Sequence, residues 1–174
     1  MTNPPSSPLM PSDHRVWKLG ADIDTDQLAP GAYMKLGIEG IAPHCLEGVR
    51  PDFAPQVRPG DVIAAGPNFG IGSSREQAAG ALVQLGLKAV IAPSFSGLFF
   101  RNAFNLGLLL LTCREAEALL EGERISLDLQ ALSVTTEAGA TLRCDPIPDF
   151  LLDMVRAGGL MNQLRERLGK GRRD

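Results

Sequence analysis

The sequence predicts an α/β fold with a parallel sheet at its centre and an antiparallel appendage. Short apolar runs at 61–65, 89–92 and 108–111 alternate with two segments of helical period. Three strand-like segments at 125–129, 132–136 and 141–144 are separated only by tight turns. Strand, helix, strand order implies right-handed crossovers between parallel neighbours, whereas turn-linked strands pair antiparallel.

Residues 1–12 hold Pro4, Pro5, Pro8 and Pro11 among serines, a composition that buries no core face and predicts a mobile arm ahead of one domain over 13–174. A first strand is expected at 14–19. The stretch 20–40, rich in Gly, Asp and Pro, reads as a long ordered loop, and loops of that length in compact domains are commonly functional. A short helix is expected at 41–49, and a turn at 57–60 leads into the strand 61–65. After the glycine-rich stretch 66–72, Ser73 or Ser74 can cap a helix that runs to about Leu85 and is closed by Gly86. Ala78, Ala81, Leu82 and Leu85 fall at helical spacing and would face the sheet. A second helix is expected at 95–106, closed by Gly107, and a short one at 115–121. The last helix is expected from near Pro148 to Leu168, with a weak point at Gly158-Gly159.

The charge balance narrows the function. A net charge of −3 supplies no broad basic field for nucleic acid or an anionic membrane, and the locally basic tail 165–173 reads as a solvated helix end. No apolar run reaches the roughly 18 residues of a membrane span, and no secretory signal is expected. Three widely spaced cysteines, Cys45, Cys113 and Cys144, suit a reducing cytoplasm better than a disulfide framework. His44 beside Cys45 invites a metal reading, but two adjacent residues make no site, and a packed helix is the better reading.

Residues 66–78 are the most informative stretch. Glycines permit positive φ and close approach to the backbone. The helix that follows offers free N–H groups and a positive dipole end, and Arg75 adds a planar fork suited to a carboxylate. A Walker A loop needs Lys before the Ser/Thr, where this chain has Gly72. A dinucleotide fingerprint and a nucleophile elbow each need Gly where Arg75 stands. Spacing alone leaves two readings open: an anion-binding helix start, or a capped helix with an incidental arginine.

Asn68-Phe69-Gly70 followed by Gly72-Ser73-Ser74-Arg75-Glu76 closely resembles the signature of the aconitase swivel domain, which is a separate small subunit in isopropylmalate dehydratases. Asp24-Thr25-Asp26-Gln27-Leu28-Ala29-Pro30 resembles that family's first loop. Residues 89–95 resemble its following strand, and Leu98-Phe99-Phe100-Arg101-Asn102, with Asn105 and Gly107, resembles its next helix. The similarity runs in order from about 14 to 112. It implies a swivelling β/β/α domain of the aconitase type, a mixed sheet flanked by helices. It also implies a hydro-lyase subunit that isomerises 2- and 3-isopropylmalate through an alkene acid. In that family the serine matching Ser73 is the catalytic base and the arginine matching Arg75 holds a substrate carboxylate; Gly72 and Ser74 are expected beside them in the substrate site. A departing hydroxyl needs a Lewis acid. This chain lacks a cysteine triad for it, so no cofactor or metal is expected here and a 4Fe-4S cluster is expected on a large-subunit partner. Ile71, Gln77, Ser96 and Gly97 depart from common family residues and leave the substrate open.

Asp22, Asp24 and Asp26 alternate as in a calcium loop, but Gln27 and Tyr33 stand where Gly and Glu are needed, so Asx turns and capping are the better reading. Tyr33, Met34, Lys35 and Leu36 occupy the place of the family's specificity loop. Met34 or Leu36 could pack on an alkyl group and Lys35 could pair with an extra carboxylate; an interface loop without selectivity is the alternative. Phe95, Phe99 and Phe100 read as core, and Asn102 and Asn105 as groups that orient the loop or face solvent. Two other functions stay open: a related hydratase acting on homoaconitate, citraconate or dimethylmalate, and a non-catalytic anion-binding module.

Overall fold

The computed structural model describes residues 13–170. The arm expected at 1–12 and the end of the basic tail lie outside them. The strands are β1 (His14–Lys18), β2 (Val62–Ala64), β3 (Ala89–Ala92), β4 (Leu109–Thr112), β5 (Arg124–Asp128), β6 (Ser133–Thr136) and β7 (Thr141–Arg143). They form one sheet in the order β4-β3-β2-β1-β5-β6-β7. β1 joins two regimes. It runs parallel to β2, with Val16 opposite Val62, and antiparallel to β5, with His14 opposite Ile125.

The difference between the halves follows from cover. Every residue of β2 and β3 and all of β4 except Thr112 is buried, because helices take up the faces of a parallel sheet and leave no polar side. β5, β6 and β7 bury Ile125, Val134 and Leu142 and turn their other positions partly or wholly to water. Asp61 pins β1 to β2 from within. Its Oδ2 accepts from Trp17 Nε1 at 2.9 Å, Arg15 Nη2 at 2.6 Å and the Arg58 N–H at 2.9 Å. Burial alone would raise this carboxyl, but these donors hold it below its ordinary value.

The helices are α1 (Thr25–Leu28), α2 (Gly37–Ile41), α3 (Phe53–Gln56), α4 (Glu76–Gln84), α5 (Gly97–Asn105), α6 (Asp149–Ala157) and α7 (Leu160–Lys170). Helix α4 buries Ala78, Ala79, Ala81 and Leu82, and α5 buries Phe99, Ala103 and Phe104. Phe95 and Phe100 pack partly buried against the same core.

The structure corrects five expectations. The stretch 20–40 is not one loop: α1, the 3₁₀ segment Gly31–Leu36 and most of α2 lie in it. The reason is local, since Asp24 Oδ1 accepts from the Gln27 N–H at 2.7 Å while Gln27 Oε1 accepts from the Asp24 N–H at 2.9 Å, a capping box. The helix expected at 41–49 stops early, with 3₁₀ geometry over Ala42–His44 where Pro43 enters. The helix expected at 115–121 is one 3₁₀ turn, Ala116–Ala118. Neither Ser73 nor Ser74 caps α4; Arg75 is its N-cap residue, and no side chain caps it. The weak point at Gly158-Gly159 is a full break, with φ of 79° and 115°.

Candidate active-site half

β1, β2 and β3 are parallel, so the loops that follow them leave the sheet at its carboxyl end, where open α/β sheets bind ligands. The loop after β2 lies between the other two and is stitched to both. On one side the Gly70 N–H donates to Ile23 O at 2.7 Å and the Thr25 N–H to Ile71 O at 2.8 Å. On the other, the Phe69 N–H donates to Ser94 O at 3.1 Å and the Ser96 N–H to Phe69 O at 2.9 Å. Asn102, on α5, donates from Nδ2 to Ser74 O at 3.0 Å, the orienting role its position suggested. Bonds on both flanks hold a glycine-rich segment in one shape.

Two glycines make that shape possible. Gly70 has φ of 83°, and a Cβ there would lie 2.2 Å from Phe99 Cγ. Gly72 has φ of 112°, and a Cβ there would lie 2.8 Å from Thr25 Oγ1. What approaches this backbone closely is therefore the protein's own packing.

Ser73 and Ser74 are exposed and Arg75 is half-buried. The Ser73 N–H donates to Thr25 Oγ1 at 3.1 Å, and Ser73 Oγ lies 3.3 Å from the same oxygen. Arg75 Nη1 donates to Ala29 O at 2.6 Å and to Asp26 Oδ1 at 3.1 Å. Among the described residues its Nη2 and Nε carry no hydrogen bond, so one edge of the fork is anchored and another is left for a ligand. The Arg75 hydrogen bond, helped by the Gly31 N–H, holds the Asp26 carboxyl below its ordinary value. Behind Ser73 and Arg75 begins α4 with no side chain on its first-turn N–H groups, which leaves its positive end available to an anion.

Residues 33–36 divide in two. The Tyr33 ring stacks on His44, with centroids 3.6 Å apart and planes at 8°. The Glu47 carboxylate beside Tyr33 pushes the phenol up and lies 2.7 Å from His44 Nδ1. His44 is thus a packing partner of this loop. Met34 is half-buried against the core, whereas Lys35 and Leu36 are exposed. Asp26 links this segment to Arg75, since its Oδ1 accepts from the Gly31 N–H at 3.0 Å as well. Asp22, Asp24 and Asp26 shape the loop: Asp22 accepts from Asn68 Nδ2 at 2.9 Å, Asp24 caps α1 and Asp26 braces Arg75.

Comparison with known proteins places this arrangement. The aconitase C-terminal domain family matches residues 51–116. The methanogen homoaconitase small subunit of Methanothermobacter thermautotrophicus is 42% identical over 160 residues, covering 90% of this chain and 92% of that one. The 3-isopropylmalate dehydratase small subunit of Sulfurimonas denitrificans is 42% identical over 152 residues, covering 86% and 91%. The chain belongs to the 3-isopropylmalate dehydratase small-subunit family. The crystal structure of 3-isopropylmalate dehydratase from Methanocaldococcus jannaschii superposes with a TM-score of 0.86 at 37% identity, covering 93% of this chain and 98% of that one. The mixed sheet with flanking helices is the swivel domain of this family, and the chain is a dehydratase small subunit of the aconitase-type hydro-lyases.

The superfamily's iron–sulfur cluster needs several thiolates in one place. In this small subunit Cys45 is fully buried, and burial drives its thiol far above the ordinary range, away from the thiolate a cluster requires. The neighbouring Cys144 pulls the Cys113 thiol down to about 7. Among the described residues no group of three or more His, Cys, Asp or Glu could hold a metal ion. The donor set does not fit a cluster. No described helix is long and apolar enough to cross a membrane.

Two residues of the site escape a reading of the sequence. In the sequence Asp26 reads as a turn former, and Thr25 only as part of the stretch that resembles the family's first loop. Their partners, Arg75 and Ser73, lie 49 and 48 residues away, and no local pattern carries a pairing of that range.

Proposed function

We propose that this chain supplies the proton-abstracting half of the active site of an isopropylmalate dehydratase, with Ser73 as base and Arg75 as carboxylate clamp. The observation that carries the reading is the half-used fork of Arg75 beside the exposed hydroxyl of Ser73, both at the uncapped start of α4. A dicarboxylate held by Arg75 and the free N–H groups brings the carbon next to its carboxylate to Ser73 Oγ. Ser73 takes the proton from that carbon, and an alkene acid forms as the hydroxyl on the neighbouring carbon, protonated from solvent, leaves as water. Readdition of water in the opposite sense gives the isomer. A Lewis acid for the hydroxyl is the contribution of a 4Fe-4S cluster on a large-subunit partner, since the three cysteines here do not assemble one. Gly72 and Ser74 line the same substrate site, and Tyr33, Met34, Lys35 and Leu36 present the side facing the substrate's variable group. The wide cysteine spacing supports a reducing cytoplasm as the setting.

The test is assembly with the large subunit and assay against a panel of hydroxy acids. The complex should interconvert 2- and 3-isopropylmalate, while the purified small subunit alone should be folded and inactive. Activity from the lone chain sinks the half-site reading, and a complex inert toward every hydroxy acid supports a non-catalytic module instead.

A second reading has its own observation. Lys35 is an exposed cation in the specificity segment, and such a group favours a substrate with an extra carboxylate, as in homoaconitate. Exchange of Lys35 for Leu should then change the ratio of kcat/KM between alkyl and carboxylated substrates. Equal loss on both assigns the segment to structure.

A further inference from the structure

We propose that Thr25 is the positioning residue of the Ser73 base: its hydroxyl donates to Ser73 Oγ and stabilises the charge that oxygen carries when it accepts a proton. The inference rests on the serine-base reading above and deepens it. Thr25 is the first residue of α1 and only 3% exposed. Its backbone is fixed at both ends, the N–H on Ile71 O at 2.8 Å and the carbonyl accepting from the Ala29 N–H at 2.9 Å. The side chain has little freedom, because threonine is stiff at χ1.

The direction of the hydroxyl bond follows from counting. A threonine hydroxyl has one hydrogen and two lone pairs. One lone pair of Oγ1 is taken by the Ser73 N–H at 3.1 Å. Among the described residues the other polar atom recorded against Oγ1 is Ser73 Oγ, at 3.3 Å, so the hydrogen is left to point there. A neutral serine could donate or accept in that bond; an alkoxide only accepts. Ser73 enters the step as alkoxide, having released its proton to solvent, and becomes a neutral hydroxyl when it takes the proton from carbon. Thr25 keeps its own proton throughout. Its bond is charge-assisted only while Ser73 is ionised, and such bonds are about twice as strong as neutral ones. Removing the donor therefore raises the serine's pKa and slows proton abstraction without touching the carboxylate clamp. Gly72 fits this role, since a side chain there would press on the threonine hydroxyl at 2.8 Å.

The experiment compares Thr25→Val, Thr25→Ser and Ser73→Ala, each assembled with the large subunit. Thr25→Val keeps the shape and removes the hydroxyl. Its kcat should fall roughly 10- to 100-fold, the weight of one hydrogen bond to a charged group, with KM nearly unchanged. The ascending limb of kcat against pH should move to higher pH, and Thr25→Ser should restore both. If Thr25→Val does not assemble, Thr25→Ala is measured the same way. A wild-type pH limb in the hydroxyl-free variant overturns the proposal, even where kcat has fallen, because a purely structural role gives that pattern. So does a Thr25→Ser variant as damaged as Thr25→Val. Ser73→Ala separates the levels: normal turnover there rejects the serine base itself, while an inactive Ser73→Ala beside an unshifted Thr25 variant rejects only the threonine's role.

Discussion

Ser73 and Ser74 are adjacent, both exposed, and differently connected. Ser73 bonds through its hydroxyl and its N–H to Thr25, whereas Ser74 contributes only its carbonyl, to Asn102. Ser73→Ala should lower kcat by roughly 10² to 10⁴, the usual weight of a positioned base, with substrate still bound by Arg75. Ser74→Ala leaves the bond from Asn102 intact and should change kcat little. Single-turnover assays with substrate titration on both variants decide the assignment; a reversed result puts the base on the wrong serine, and two active variants reject the mechanism. Arg75→Lys should raise KM on the order of tenfold, about 1.4 kcal/mol, because an ammonium cannot brace Ala29 and Asp26 with one edge and fork a carboxylate with another. An unchanged KM places Arg75 outside the site. At this scale the sequence shows which residue types lie in the glycine-rich stretch, and the resemblance proposes their roles. Thr25 and Asp26 stay hidden, since their meaning comes from partners almost fifty residues away.

Elements were legible where one local signal dominated. The buried runs of β3 and β4 and the alanine face of α4 were plain from periodicity. The region 20–40 was not, because its helices are only four to six residues long and rest on a capping box and on packing. Expecting a serine cap on α4 failed for a tertiary reason: Ser73 turns its hydroxyl and its N–H to Thr25, and the chain enters α4 through Arg75. The glycine pair that splits α6 from α7 was readable as a weak point, but not its purpose. A Cβ at Gly159 would lie 2.8 Å from Asn105 O, at the end of α5, and its φ is positive. Gly159→Ala should therefore cost about 2 kcal/mol or more, from the left-handed backbone and the lost approach together. Denaturant unfolding measures it; a variant as stable as the parent means the C-terminal helices dock on α5 without close contact.

For the whole molecule, β1 is the seam. Asp61 ties it to β2 by accepting from Trp17, Arg15 and Arg58, and this carboxyl sits below its ordinary value. The unfolded chain titrates it near the ordinary value of about 3.9. A carboxyl depressed in the folded state adds stability above the unfolded value and loses it as pH falls through the folded one. Stability should thus decline below about pH 4, and Asp61→Asn should flatten that decline while costing about 1–3 kcal/mol at neutral pH. Parallel curves for the two proteins, from urea unfolding across pH, would remove Asp61 from the account. The sequence by itself determined the α/β class, the buried parallel strands, the turn-linked antiparallel ones and the glycine-rich helix start with Ser73 and Arg75, because those follow from short-range periodicity and turn chemistry. Only the tertiary structure decided that β1 pairs with both β2 and β5, that three loops meet at the carboxyl end of the parallel strands, and that Thr25 and Asp26 face Ser73 and Arg75. Strand pairing and loop convergence are set by which surfaces can be buried together, and that is a property of the folded chain as a whole.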